Sequence, residues 1–339
     1  MEYCFRNLIF EGGGVKGIAY VGALRELRKR GIMDNVIRVG GTSAGAINAI
    51  LVGLNYTEEE TSDILWKLNF NNFMDDSWGI IRDFDRLVKE FGWYKGEFFR
   101  NWIGSLIKAK TGNSESTFAD IKALQEKKGF KDIYLVGTNL STRFSEVFSY
   151  EHTPRICVAD AARISMSIPL FFKAVRSVRD DVYVDGGVLA NYPIKLFDRE
   201  KYVSENRIDT EYYNKVNKQI SLLEREISKY TFNKETLGFR LDSKKEIAIF
   251  RDHAEPPRQK IKDFFDYAWG LIETYMEAQQ SNHLHSDDWQ RTIYIDTLGV
   301  KTTDFDLSDD KKKALVDSGI KGVQKYFEWF DRSKSSGSE

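Results

Sequence analysis

The chain has 339 residues, of which 42% are hydrophobic and 30% charged, with a formal net charge of −1. That length and apolar content can bury a large core in one enlarged domain, and the balanced charge argues against a nucleic-acid surface. Cys4 and Cys157 are too few for a disulfide framework, which fits a reducing compartment.

Asn7-Leu8-Ile9-Phe10 reads as a buried strand, entered almost at once with no charged-then-apolar leader before it. Gly12-Gly13-Gly14-Val15-Lys16-Gly17 follows, then a helix over 18–31. Asn35-Val36-Ile37-Arg38-Val39 predicts a second strand over 36–40. It leads into Gly41-Thr42-Ser43-Ala44-Gly45 and a helix over 44–54, with Ala46, Ile47, Ile50, Leu51 and Leu54 at helical spacing.

Helices are expected through 58–110. This stretch is dense in aromatics: Phe70, Phe73, Trp78, Phe84, Phe91, Trp93, Tyr94, Phe98, Phe99 and Trp102. They suit a helical cap, most of them packed as core and a few exposed toward a membrane interface.

Strands are predicted over 132–138, near 145–149 and over 181–184, the last ending at Asp185-Gly186-Gly187. A helical excursion at about 199–235 carries Tyr213, Val216, Ile220, Leu223, Ile227 and Tyr230 at alternating spacings of three and four. That is an amphipathic seam lying on its own domain, or else a dimer seam or lid. Strands over 237–242 and 292–297 complete the pattern, and 331–339 reads as a disordered tail.

Alternating strands and helices give an α/β fold with a mostly parallel sheet covered by helices on both faces, here as one unit over residues 5–330. The longest clearly apolar run, Ala46 to Leu54, is far short of the roughly 20 residues that span a bilayer. A soluble, cytoplasmic chain is expected.

Three glycine-centred motifs carry the chemistry. Gly41 and Gly45 flank Ser43 in the pattern of a nucleophile raised on a strand-to-helix turn, where larger side chains would collide. The following helix directs its positive end at Ser43. Gly12, Gly14 and Gly17 also satisfy a dinucleotide-binding pattern. That fold needs a carboxylate at the end of the second strand, where Gly40-Gly41-Thr42-Ser43 stands instead. The amides of Gly12, Gly13 and Gly14 are better read as oxyanion donors, with Lys16 adding charge nearby or simply solvated. Asp185 sits at a strand end, beside a flexible Gly186-Gly187 corner.

In this order and form the motifs resemble the patatin-like phospholipases, or lipid acyl hydrolases. Ser116-Thr117-Phe118-Ala119-Asp120 and Arg163-Ile164-Ser165-Met166-Ser167-Ile168-Pro169 resemble further segments of that family. The resemblance covers residues 5–200 and continues faintly through Thr236 to Leu241 into the C-terminal helices. It implies a patatin-like fold with a helical cap and insertion, Ser43 as nucleophile and Asp185 as base of a Ser–Asp dyad. Gly12, Gly13 and Gly14 form the oxyanion hole, and Lys16, Gly17, Gly41, Gly45, Gly186 and Gly187 support the motifs. No metal or cofactor is required. The implied partners are a phospholipid or other acyl-lipid substrate and a transient membrane surface, with a homo-oligomer or an activating ligand or protein left open.

Two alternatives stand beside this. One is a signalling or effector protein whose hydrolase site stays latent until a ligand or partner engages it. The other is an α/β-hydrolase triad drawing on His283 or His285, in the order Ser, Asp, His. The early position of Ser43 and the unused Gly12–Gly14 run argue against the triad. His283 and His285 lie in a polar stretch expected at the surface, and a lone His-x-His is a weak metal site.

Overall fold

The computed structural model describes residues 3–73, 89–204, 208–221, 228–243, 287–302 and 304–336, with isolated positions between 261 and 275. In chain order the main elements are β1 (Asn7–Phe10), α1 (Ala19–Lys29), β2 (Arg38–Gly41), α2 (Ala44–Gly53), α3 (Glu58–Lys67), β3 (Gly92–Tyr94) and α4 (Glu97–Thr111). They continue with α5 (Phe118–Lys128), β4 (Asp132–Asn139), β5 (Phe144–Phe148), α6 (Val158–Ser165), β6 (Leu170–Phe172), β7 (Val175–Arg176), β8 (Val182–Asp185) and α7 (Gly187–Ala190). The last are α8 (Glu211–Ser221), β9 (Thr236–Asp242), β10 (Thr292–Asp296) and α9 (Asp309–Ser336).

The main sheet runs β10-β9-β1-β2-β4-β8-β7, with β5 also paired to β4. The ladders from β10 to β4 are parallel, and those that β5 and β8 make with β4, and β7 with β8, are antiparallel. The sheet is therefore mostly parallel and flanked by helices. Its strands read as near-continuous apolar runs because both faces are covered: all four residues of β1 and all seven of β9 are buried. Phe10 stacks on Phe239 across the β1–β9 ladder, with Tyr20 of α1 edge-on to both.

The β4 register fixes the site. Leu135 pairs with Gly41 of β2 and with Phe148 of β5, so β2 and β5 occupy opposite edges. Gly137 pairs with Glu146 of β5 and with Asp185 of β8, so β8 lies on the edge that β2 uses. Running up and down one edge, β2 and β8 meet end to end. Gly186 abuts Thr42 so closely that a Cβ there would lie 2.9 Å from Thr42 Cγ2.

Several elements differ from the sequence reading. Helix α5 begins at a capping box, Thr117 with Asp120, and α6 and the two- or three-residue strands β3, β6 and β7 were not expected either. The seam helix is described to Ser221. Tyr230, expected as its last seam residue, instead lies in an extended bridge to Arg199 and stacks on buried Tyr213 at 5.9 Å. Leu223 and Ile227 lie outside the described residues. Helix α9 runs to Ser336, into the stretch 331–339 read as a disordered tail.

Candidate active site

Ser43 caps α2 with φ 54° and ψ −125°, a left-handed conformation that a serine holds only where its surroundings dictate it. The turn is tight enough to require both flanking glycines. A Cβ on Gly41 would lie 2.3 Å from Gly45 O, and one on Gly45 would lie 2.3 Å from Phe10 O. The Ser43 amide donates to Ser165 Oγ at 3.0 Å, and Ser165 donates in turn to Val136 O of β4 at 2.7 Å. The Ser43 hydroxyl is nearly covered and directs its proton at Met166 Sδ, 3.4 Å away. Ser165 and Met166 thus give a local reason for the Arg163–Pro169 segment. Arg163 anchors it through Ser167 Oγ, Lys95 O and Lys173 O.

Asp185 is buried at the end of β8, with Oδ1 accepting the Gly187 amide at 2.7 Å and Oδ2 lacking a partner among the described residues. Burial raises its pKa to about 7, against the pull of the Gly187 amide and the nearby Ser43 hydroxyl. A carboxyl group poised there can exchange a proton near neutrality.

The glycine loop faces the same point from β1. Of the three amides expected to bind an oxyanion, that of Gly12 already donates to Asn191 O at 3.1 Å. The Gly13 and Gly14 amides have no partner among the described residues. Asn191, which follows α7, also donates from Nδ2 to Gly12 O at 3.3 Å and to Glu11 Oε1 at 3.4 Å. Thr42 Oγ1 donates to Ala190 O at 2.9 Å. The turn after Asp185 is therefore bonded both to the glycine loop and to the serine turn.

Behind the loop lies a buried charge cluster. Glu11 Oε2 accepts the Leu241 amide at 2.6 Å, and Arg240 and Asp242 stand beside it, their closest contact 3.1 Å. Burial pushes the Glu11 carboxyl well above the usual range, while Arg240 and Lys16 pull it down and Asp242 pushes it up. Lys16 is thus close enough to act on Glu11, and its own amide closes a turn onto Gly13 O. A sequence signal for this cluster exists: Arg240 is a charge inside the apolar run Thr236–Leu241. Asn191 carries no comparable mark beyond its place shortly after Asp185-Gly186-Gly187.

The remaining candidates fall elsewhere. His152 is half-buried and hydrogen-bonded to Ser149 Oγ at 2.8 Å, its pKa lowered chiefly by burial. His253, His283 and His285 lie outside the described residues, as do Trp78 and Phe84 of the aromatic cap. Phe73 and Phe99 of that cap are buried and packed on each other, whereas Phe91 and Phe98 are exposed. A cavity of about 190 Å³ lies between Gly14, Ile18, Ala44, Asn48, Phe305 and Asp306, behind the loop and the serine turn. A larger groove, bordered by Arg6, Ile37 and Arg291, opens at the other end of the sheet.

The patatin-like phospholipase family model matches residues 8–198, more than half of the chain and all three motifs. The chain belongs to the patatin-like phospholipase family. It is a hydrolase of that lipolytic class. Among its relatives, the uncharacterised YqhO protein of Bacillus subtilis is 28% identical over 324 residues, covering 92% of this chain and 94% of YqhO. The probable lipid hydrolase 463L of invertebrate iridescent virus 6 is 26% identical over 217 residues, 64% of this chain and 67% of the viral protein. The crystal structure of VipD from Legionella pneumophila shares the patatin-like fold, with a TM-score of 0.59 at 16% identity over 96% of this chain and 67% of VipD.

Proposed function

We propose that this patatin-like hydrolase cleaves carboxylic ester bonds of phospholipids or related acyl lipids through a Ser43–Asp185 dyad. Ser43 Oγ attacks the ester carbonyl as its proton passes to Asp185, and the Gly13 and Gly14 amides stabilise the tetrahedral oxyanion. The alcohol leaves with that proton, and water then releases the fatty acid from acyl-Ser43. No metal or cofactor takes part in this scheme. The observation that most supports it is the meeting of β2 and β8 along one edge of β4, with strained Ser43 after one strand and buried Asp185 ending the other. The cavity beside Gly14 and Ala44 has a mixed lining, Ile18, Ile47 and Phe305 on one hand and Asn48, Asp306 and Lys312 on the other, which suits the junction of an acyl chain and a polar group. No helix among the described residues is long and apolar enough to cross a membrane, so the reading is of an enzyme that meets the bilayer peripherally.

A fluorophosphonate probe tests the nucleophile, because an activated serine beside oxyanion donors attacks such phosphorus centres. Intact-mass measurement should show one adduct that is absent in Ser43→Ala. Labelling that persists in the variant would move the nucleophile elsewhere.

One observation favours a latent form of the same enzyme: the Ser43 hydroxyl is nearly covered and directs its proton at Met166 Sδ. In that reading an activating ligand or partner turns Ser43 toward its base. Slow basal hydrolysis of a short-chain ester, together with faster turnover of Met166→Ala, would support latency.

A further inference from the structure

Two buried acceptors border Ser43 without a hydrogen-bond partner among the described residues, Asp185 Oδ2 and Asn191 Oδ1. Asn191 is 4% exposed. Its Nδ2 faces Glu11 Oε1 and Gly12 O, which fixes the amide orientation, since the flipped form would set Oδ1 against two oxygens. A methyl group on Gly12 would lie 2.3 Å from Asn191 Oδ1 and 3.1 Å from Ser43 Cβ, so the amide oxygen and the serine both pack against Gly12. Asp185 borders the same serine from the β8 side and feels its hydroxyl.

In the acyl-enzyme Ser43 has no hydrogen to offer either acceptor, so the pair selects a ligand that brings hydrogens, and water, with two, fits where an anion does not. An acyl-serine also needs such a water: hydrolysis waits on an oxygen lone pair aimed at the acyl carbon. We propose that Asn191 Oδ1 orients the hydrolytic water of the acyl-enzyme while Asp185 Oδ2 takes its proton. This inference rests on the dyad reading above.

In the step, the water oxygen bonds to the acyl carbon as one proton passes to Asp185. The other hydrogen stays on that oxygen and donates to Asn191 Oδ1. Collapse of the tetrahedral intermediate breaks the bond from carbon to Ser43 Oγ. Asp185 returns the proton to Ser43, and the fatty acid departs with the water's oxygen. Asn191 exchanges no proton, so its effect belongs to deacylation.

The test separates the two half-reactions in the full-length chain with a short-chain p-nitrophenyl ester. Fluorophosphonate labelling needs the nucleophile, base and oxyanion donors but no water, and reports on the acylation machinery. Asn191→Ala should label within about threefold of the wild-type rate while ester turnover falls about tenfold or more. Intact-mass spectra at steady state should then show acyl-Ser43 accumulating, and added hydroxylamine, a stronger nucleophile, should raise the variant's turnover more than the wild type's. Labelling and turnover that fall in parallel, with no acyl-enzyme, would mean that Asn191 acts only by holding Gly12, and would overturn the proposal. Unchanged turnover would overturn it as well. Asn191→Leu, which fills the same volume without polar atoms, carries the test if the alanine variant does not fold. A wild-type chain that neither labels at Ser43 nor hydrolyses the ester would bring down the dyad reading itself.

Discussion

Arg291 and Asp198, 93 positions apart, form a buried two-pronged ion pair with N–O distances of 2.5 and 2.6 Å. Arg291 also binds Asp288 Oδ1 and Asn233 O, and Asp198 accepts the Tyr213 hydroxyl of α8. One guanidinium thereby ties the segment after α7, the residues before β9 and the approach to β10 into one cluster.

Removing that cation leaves the Asp198 and Asp288 carboxylates buried, with Lys195 Nζ 3.7 Å from Asp288. Arg291→Met should lower the free energy of unfolding by about 3–5 kcal/mol, the usual cost of stranding a buried charge. Urea titration measures this. Ser43 labelling at low temperature should change little, because the pair lies toward the opposite end of the sheet. A loss below about 1 kcal/mol would show the cluster to be dispensable.

In the proposed dyad Asp185 couples activity and stability to pH with opposite signs. As a base it must be ionised, so kcat/KM for a soluble ester should rise with pH through about 7. Its folded pKa lies above the ordinary aspartate value of 3.8, so between those values the folded chain holds a proton that the unfolded chain has lost. Its contribution to stability is full below about 3.8 and is lost as pH rises through about 7. Asp185→Asn should therefore lose activity by about two or more orders of magnitude yet gain thermal stability above neutrality, by a few kcal/mol at the upper bound. A variant less stable than wild type at alkaline pH would contradict the raised pKa.

In the proposed peripheral reading, exposed apolar side chains near the Ser43 end of the sheet are where the enzyme meets lipid. Strand β4 continues four residues past the level of Gly41, about 13 Å at the usual rise, and turns back through Phe144. The β7–β8 turn stands beside it, with Leu140 N donating to Val182 O at 2.8 Å. Phe144 is 72% exposed and Val178 fully so, and both overhang the end of the sheet that carries Ser43. Replacing both with Ser should weaken binding to phosphatidylcholine vesicles about tenfold or more, since each apolar side chain contributes about 1.5–3 kcal/mol when buried. Hydrolysis of a soluble ester should be spared. Equal loss on both substrates would indicate misfolding, and no loss on either would place the contact elsewhere, with exposed Phe91 and Phe98 next.

Much of this architecture was legible because local chemistry and global fold agree. The runs at 7–10, 132–138 and 237–242 are apolar throughout, as strands covered on both faces must be, and Gly41 and Gly45 betray the tight turn at Ser43. Strands β3, β6 and β7 were not, since two or three residues display no period. Helix α5 announces only its start, at Thr117 and Asp120, and its apolar face has too few residues to show a period. The seam through Tyr213 and Val216 was carried on to Tyr230 because spacing records which face is apolar, not where the helix stops. At the site, the motifs named Ser43, Asp185 and the glycine loop. That the Gly12 amide is already engaged, and that Asn191 engages it, are long-range facts with no local signature.

The distance between Ser43 and Asp185 is written as a hydrogen-bond register on β4, with Gly41 opposite Leu135 and Asp185 opposite Gly137. The cap and the loops between them can lengthen or shorten without moving either group, provided the ladder stays in step. A single residue inserted within 137–139 or 183–185 is a different matter. Successive side chains of a strand point to opposite faces, so one step of slippage would turn the Asp185 carboxyl through the sheet and away from the serine. The meeting of these two residues is thus tolerant of change in the loops and brittle to a one-residue frame shift in one short ladder.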